Sequence, residues 1–296
     1  MKTEGKSLQQ EAWERLRKNK VAVWSAGIIL FVCAISLIAP WLAPYPFDEQ
    51  FLDSVLAPPS WQHWLGTDSL GRDMLSRMIY GARVSMAVGM ITAFVSLIIG
   101  TFVGAVAGWF GGIVDSAIMR FVDILDSIPP LVLFILVKLV FESFDVISNP
   151  ELKALSGMLI ALSVVSWVSL ARVVRGQVLQ VKQMTYVEAA RGMGASGFRI
   201  VAQHILPNIV GPIIVLLTFQ IPSNILYESF LSFLGLGLQP PYSSWGVLAN
   251  DGWRSLDSYP HLMISPSIAI FVAMLAFNML GDGLRDAFDP KMRGRA

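Results

Sequence analysis

Three aspartates in apolar surroundings are the first residues to weigh for chemistry. Asp123, Asp126 and Asp282 offer the carboxylate pair of an intramembrane aspartyl protease, in which two acids share one proton. Such a site usually sets one aspartate in a Gly-x-Gly-Asp turn. The stretch Met279-Leu280-Gly281-Asp282 lacks the first glycine, and Asp123 or Asp126 would have to reach it across a helix bundle. Gly5-Lys6-Ser7 has the ending of a phosphate-binding loop, but no glycine stands five residues before Gly5, where such a loop needs one. His63, His204 and His261 are scattered without metal-ligand spacing. Cys33 is the single cysteine, so the chain has neither a disulfide framework nor a CxxC site. No catalytic residue, metal ligand or cofactor of its own is assigned to the chain.

The remaining polar residues in apolar runs suggest transport instead. Asn224 and Glu228 lie four apart and share a helix face. A carboxylate near mid-membrane costs about 2.5–3.5 kcal/mol on insertion scales, so Glu228 should face protein or water. It is a lock between helices or part of a pathway. Pro222 has no N–H for the carbonyl of Thr218, which predicts a kink and makes it a candidate hinge. Gly100, Gly104 and Gly108 recur every four residues and let another backbone approach, within the subunit or between subunits. Arg120, Asp123 and Asp126 are spaced to let Arg120 pair with Asp123 at a helix end. A proton-coupled secondary transporter would use Glu228, but it does not call for the organised polar segment at 186–207.

Composition sets the elements that hold these groups. Of 296 residues 54% are apolar and 15% charged, against about 25% charged in ordinary soluble domains. The net charge of +1 gives no sign of a nucleic-acid partner. Six apolar runs predict an all-α polytopic membrane protein, with helices near 21–43, 83–109, 118–141, 155–175, 209–237 and 262–284. The first run follows a charged tail and is too long for a cleaved signal segment. Lys and Arg concentrate in residues 1–20, 176–208 and 285–296, which puts both termini and the 176–208 loop in the cytoplasm. Residues 21–82 form the first helix and an extracytoplasmic segment, and 83–284 a five-helix core. Trp24 and Trp41 flank the first span as interfacial anchors.

The polar stretch "YVEAARGMGASGFRIVAQHILPNI" between the fourth and fifth spans is the most organised feature. Residues 181–192 favour helix, Gly192, Gly194 and Gly197 permit a turn, and helix resumes at 198–205 before Pro207. Ala189 and Ala190 leave room for a partner groove to approach the backbone.

Glu188-Ala189-Ala190, then Gly194, then Leu206-Pro207 resembles the EAA-x3-G-x9-I-x-L-P signature of ABC importer permeases, with His204 where the signature has Ile. The block "LGTDSLGRDMLSRMIYGARVSM" at 65–86 is similar to the GTD-x2-GRD-x2-SR block of oligopeptide, dipeptide and nickel-type permeases. The stretches 228–241, 245–252 and 280–295 are similar to the same family. The resemblance spans about residues 11–295. It implies a type I permease in a bacterial or archaeal cell membrane, working with a homologous second permease, two cytoplasmic ATPases and an extracytoplasmic substrate-binding protein. Glu188, Ala189, Ala190, Arg191, Gly192, Met193 and Gly194, with Leu206 and Pro207, would then be the coupling surface for an ATPase. ATP and Mg would bind the ATPases, and this chain would catalyse nothing. The implied cargo is an oligopeptide or dipeptide, with nickel chelates, glutathione or opines as alternatives.

Overall fold

The computed structural model describes residues 8–144 and 147–288. Gly5-Lys6-Ser7 and the tail beyond residue 288 lie outside the described residues. Twelve α-helices run in order among those described: α1 Leu8–Lys18, α2 Lys20–Leu37, α3 Ala39–Leu42, α4 Met74–Phe110, α5 Gly112–Ser127, α6 Pro130–Ser143, α7 Pro150–Val181, α8 Thr185–Gly192, α9 Gly197–Ile200, α10 Leu206–Leu231, α11 Trp245–Trp253 and α12 His261–Phe288. Single π-helical turns at Val201–Ile205 and Ser232–Leu236 flank α10. Five helical runs are long and apolar enough to cross a membrane, and the bent pair α5–α6 makes a sixth if taken as one span.

That bent pair departs from the straight helix expected over 118–141. α5 and α6 meet at 95°. A residue before proline is pushed out of the α region. Ile128 is accordingly extended (φ −92°, ψ 131°) ahead of Pro129, and Pro130 opens α6 where its missing N–H costs nothing. The second span also differs, beginning at Met74 rather than 83, so the 82/83 division falls inside α4. Asp73 fixes that start by accepting from the Ser76 N–H at 2.8 Å. α4 ends at Gly111 and Gly112, both at positive φ (66° and 54°), which turn the chain into α5. α10 passes through Pro212 and Pro222 without interruption. The non-helical residue comes later, at Gly235 (φ 80°) in the π turn.

Gly100, Gly104 and Gly108 face α7 of the same chain. A Cβ on Gly100 would lie 2.9 Å from the Trp167 carbonyl oxygen. One on Gly104 would collide with the Ala171 carbonyl, and one on Gly108 would lie 2.8 Å from Val178 Cβ. This stripe draws the two longest helices into backbone contact. Arg120 is not the partner of the α5 acids. Arg172 on α7 reaches Asp126 at 2.7 Å and Asp123 at 3.0 Å, and Arg175 pairs with Asp115. Asp123 and Asp126 are therefore neutralised across the α5–α7 contact, not along their own helix.

One end of the bundle gathers α1, the end of α12 and the polar segment. Gly283 near the end of α12 packs on Ala22 at the start of α2, and Gly211 at the start of α10 packs on Phe288. The opposite end carries residues 44–73 and α11. Within the stretch 238–261, Trp245, Gly246, Val247 and Leu248 of α11 are buried. Gly246 lies against the Ser229 backbone and Gly252 against that of Leu262, contacts closed to any larger residue.

Candidate functional site

Residues 182–207 form a small structure with its own core. Val187 and Ala190, three apart on α8, turn inward onto Val178, Val181, Ile200, Ile205 and Ile209. That leaves Glu188, Ala189, Arg191, Gly192 and Met193 exposed, with Met193 83% and Phe198 86% accessible. Small residues among exposed large ones give a surface that is low over the helix and raised at its end.

Gly194 ends α8. Its φ is +84°; the Ala195 N–H donates to the Ala190 carbonyl at 3.1 Å, and the Gly194 N–H to the Arg191 carbonyl at 3.0 Å. Those two bonds with a left-handed residue between them make a Schellman cap, in which glycine carries no Cβ penalty. No atom lies within 4 Å of where a Gly194 Cβ would stand, so backbone conformation and not space selects glycine here. Ser196 then caps α9 through the Arg199 N–H. Pro207 is exposed in the first turn of α10. Because it cannot donate backwards, the chain before it widens into the π turn, where the Leu206 N–H reaches the Val201 carbonyl. Leu206 packs on the segment's core, and the His204 carbonyl accepts from Asn208 Nδ2 at 2.6 Å.

Trp109, at the end of α4, holds this structure in place and was not singled out from the sequence. Lys182 Nζ donates to its carbonyl. The Lys182 ammonium and the Arg191 guanidinium both stand 5.4 Å from its ring. Gly197 lies so close that an added Cβ would be 3.0 Å from the indole. The signal was a tryptophan one residue after Gly108, at the end of the glycine stripe.

The membrane polar residues separate into two environments. Glu228 is fully buried and bonded to serines from three segments. Its Oε2 accepts from Ser85 Oγ at 2.8 Å and its Oε1 from Ser232 Oγ at 2.8 Å. Ser85 Oγ also accepts from the Trp245 N–H at 3.2 Å, and Ser244 Oγ donates to Ser232 Oγ at 3.4 Å. These bonds join α4, α10 and the start of α11 around the Glu228 carboxylate. Asn224, one turn away, accepts from Ser166 Oγ at 3.1 Å and lies beside an open cavity of about 290 Å³ between α7 and α10.

The 65–86 block forms the opposite end's anchor. Asp68 receives Arg72 Nε at 2.7 Å and Arg77 Nη1, and Arg77 reaches Asp251 of α11 at 3.4 Å. Asp73 meets His63 Nδ1 at 2.9 Å, while Ser76 Oγ accepts from the Tyr45 N–H. Asp73 and Ser76 of the block thus pin residues 63 and 45 to the start of α4, and Arg77 ties it to α11.

This helical frame is a permease fold. A structure titled as inward-facing conformations of the MetNI methionine ABC transporter matches 72% of this chain and 97% of its own, with a TM-score of 0.56 at 19% identity. Residues 100–294 match the family described as binding-protein-dependent transport system inner membrane component, and residues 7–59 the N-terminal TM domain of oligopeptide transport permease C. The chain belongs to the family of binding-protein-dependent transport system inner membrane components. It is 46% identical to the dipeptide transport system permease protein DppC of Bacillus subtilis, over 97% of this chain and 87% of that one. Identity is 41% to the oligopeptide transport system permease protein OppC of Haemophilus influenzae, over 99% and 92% of the two chains. It is also 41% to the glutathione transport system permease protein GsiD of Pectobacterium atrosepticum, over 96% and 91%.

Proposed function

We propose that this chain is one of two permease subunits of an ATP-driven importer of short peptides, and that residues 185–207 couple it to a cytoplasmic ATPase. The exposed α8 surface, closed by the Gly194 cap and braced on Trp109, supports the coupling role. A lever must be stiff where it meets the bundle and accessible where it meets its partner. The Val187–Ala190 core and the Trp109 brace supply the first, and Glu188 to Met193 the second. Relatives named for dipeptide, oligopeptide and glutathione transport support a short-peptide cargo, glutathione being itself a tripeptide. ATP and Mg act on the ATPases. Their closure favours one of two bundle states, so the chain transmits a free-energy difference and performs no bond chemistry. A binding protein would deliver cargo at the end carrying α11, with both termini on the cytoplasmic side.

Gly194→Asp tests the coupling. Aspartate tolerates the left-handed conformation, so the cap survives while a charge enters the docking surface. In the assembled transporter, substrate-stimulated ATP hydrolysis and peptide uptake should fall while membrane insertion is unchanged. Normal values of both would sink the coupling role. Topology is checked in a Cys33→Ser background. Met193→Cys should react with an impermeant thiol reagent only from the cytoplasmic side, and Gln62→Cys only from outside.

A further inference from the structure

Hydroxyl and amide groups in the middle of a span are costly against hydrocarbon, and α7 and α10 carry a cluster of them around one cavity. Ser166 and Ser169 on α7 face Gln220, Ser223, Asn224 and Tyr227 on α10 across the cavity of about 290 Å³. Ser169 and Ser223 are exposed although they stand at mid-helix. Part of the cluster is fixed internally: Gln220 Nε2 donates to the Ser166 carbonyl at 2.5 Å and Ser166 Oγ to Asn224. Residues beside the 95° break between α5 and α6 also line the cavity, Asp126 among them, already paired with Arg172.

We infer that this face is the subunit's wall of the cargo path and that it contacts the peptide backbone. It offers neutral donors and acceptors, which match the N–H and C=O groups of a peptide bond. Its one ionised group is paired, so the wall has no fixed charge with which to sort side chains. A path of this kind accepts peptides of varied sequence. The inference rests on the reading of the chain as a peptide permease.

The test uses the complete transporter in proteoliposomes, with trialanine as cargo and Cys33→Ser as background. Ser169→Cys and Ser223→Cys should react with a charged, membrane-impermeant methanethiosulfonate, and trialanine with ATP should slow that reaction. Phe94→Cys, exposed on α4 away from the cavity, should be unprotected by cargo. Ser223→Asp should shift uptake toward Lys-containing over Glu-containing tripeptides by roughly twenty-fivefold relative to wild type, roughly fivefold from attracting Lys and as much again from repelling Glu, each one unit-charge contact in water at 4 Å. Serine positions that are unreactive or unprotected, or an unshifted Lys/Glu ratio, would overturn the wall assignment while wild-type uptake stands. Failure of the wild-type complex to import trialanine would instead overturn the peptide reading itself.

Discussion

Gly194→Ala changes one backbone preference and nothing else. The residue sits at φ +84° with no atom within 4 Å of the new methyl, so no packing or clash enters. The cost is that of an L-residue in the left-handed region, about 1–2 kcal/mol. A tenfold change in equilibrium corresponds to about 1.4 kcal/mol. The cap should therefore open roughly five- to thirtyfold more often. The bonds affected are Ala195 N–H to Ala190 and the residue-194 N–H to Arg191. Amide hydrogen exchange over residues 189–196 in lipid nanodiscs reads this directly, because local opening is sampled separately from global unfolding. Exchange should rise by that factor in Gly194→Ala, by less in Gly194→Asn, and no more in Gly194→Leu than in Gly194→Ala. A leucine effect far above alanine's would show that space matters after all. Unchanged exchange in Gly194→Ala would refute the cap.

Substitutions at four further positions probe the bundle. Glu228→Leu leaves Ser85 and Ser232 without their acceptor and should destabilise by about 1–3 kcal/mol per orphaned group, whereas Glu228→Gln keeps most of the bonding and should cost far less; thermal unfolding of the two variants in one detergent checks the order. Gly104→Val forces a side chain into the Ala171 carbonyl and should cost at least about 1–3 kcal/mol, seen as a lower unfolding temperature or loss of folded protein. Arg77→Ala removes one charged hydrogen bond from buried Asp68, which keeps Arg72, and should cost about 1.5–3 kcal/mol. Asp251→Ala should cost under about 1 kcal/mol, because Asp251 is 36% exposed and its contact with Arg77 is 3.4 Å; equal losses from the two would contradict the network.

The 186–207 segment was legible because its signals are local. A turn that needs positive φ calls for glycine, and a proline that opens a helix is read from its place in the sequence. Gly194 and Pro207 therefore stand where the spacing put them. The α5–α6 break was written in Pro129-Pro130, yet the hydropathy of 118–141 overrode it, since an average over twenty residues is blind to one bend. Glu228 and Asn224 share a helix face by spacing, but their surroundings differ completely. One is closed in by Ser85, Ser232 and Ser244 from three segments, and the other borders a cavity.

By itself the sequence determined that the chain spans a membrane through helices, because hydrocarbon admits no unsatisfied backbone. It also determined where the polar segment interrupts those spans. Only the tertiary structure decided what each polar residue meets. Arg172 rather than Arg120 neutralises the α5 acids, the glycine stripe of α4 faces α7, and Trp109 braces a helix about eighty residues further along the chain. These contacts join residues far apart in the chain, and their selection depends on which faces the packed helices turn toward one another. That is a property of the whole bundle and of no single segment.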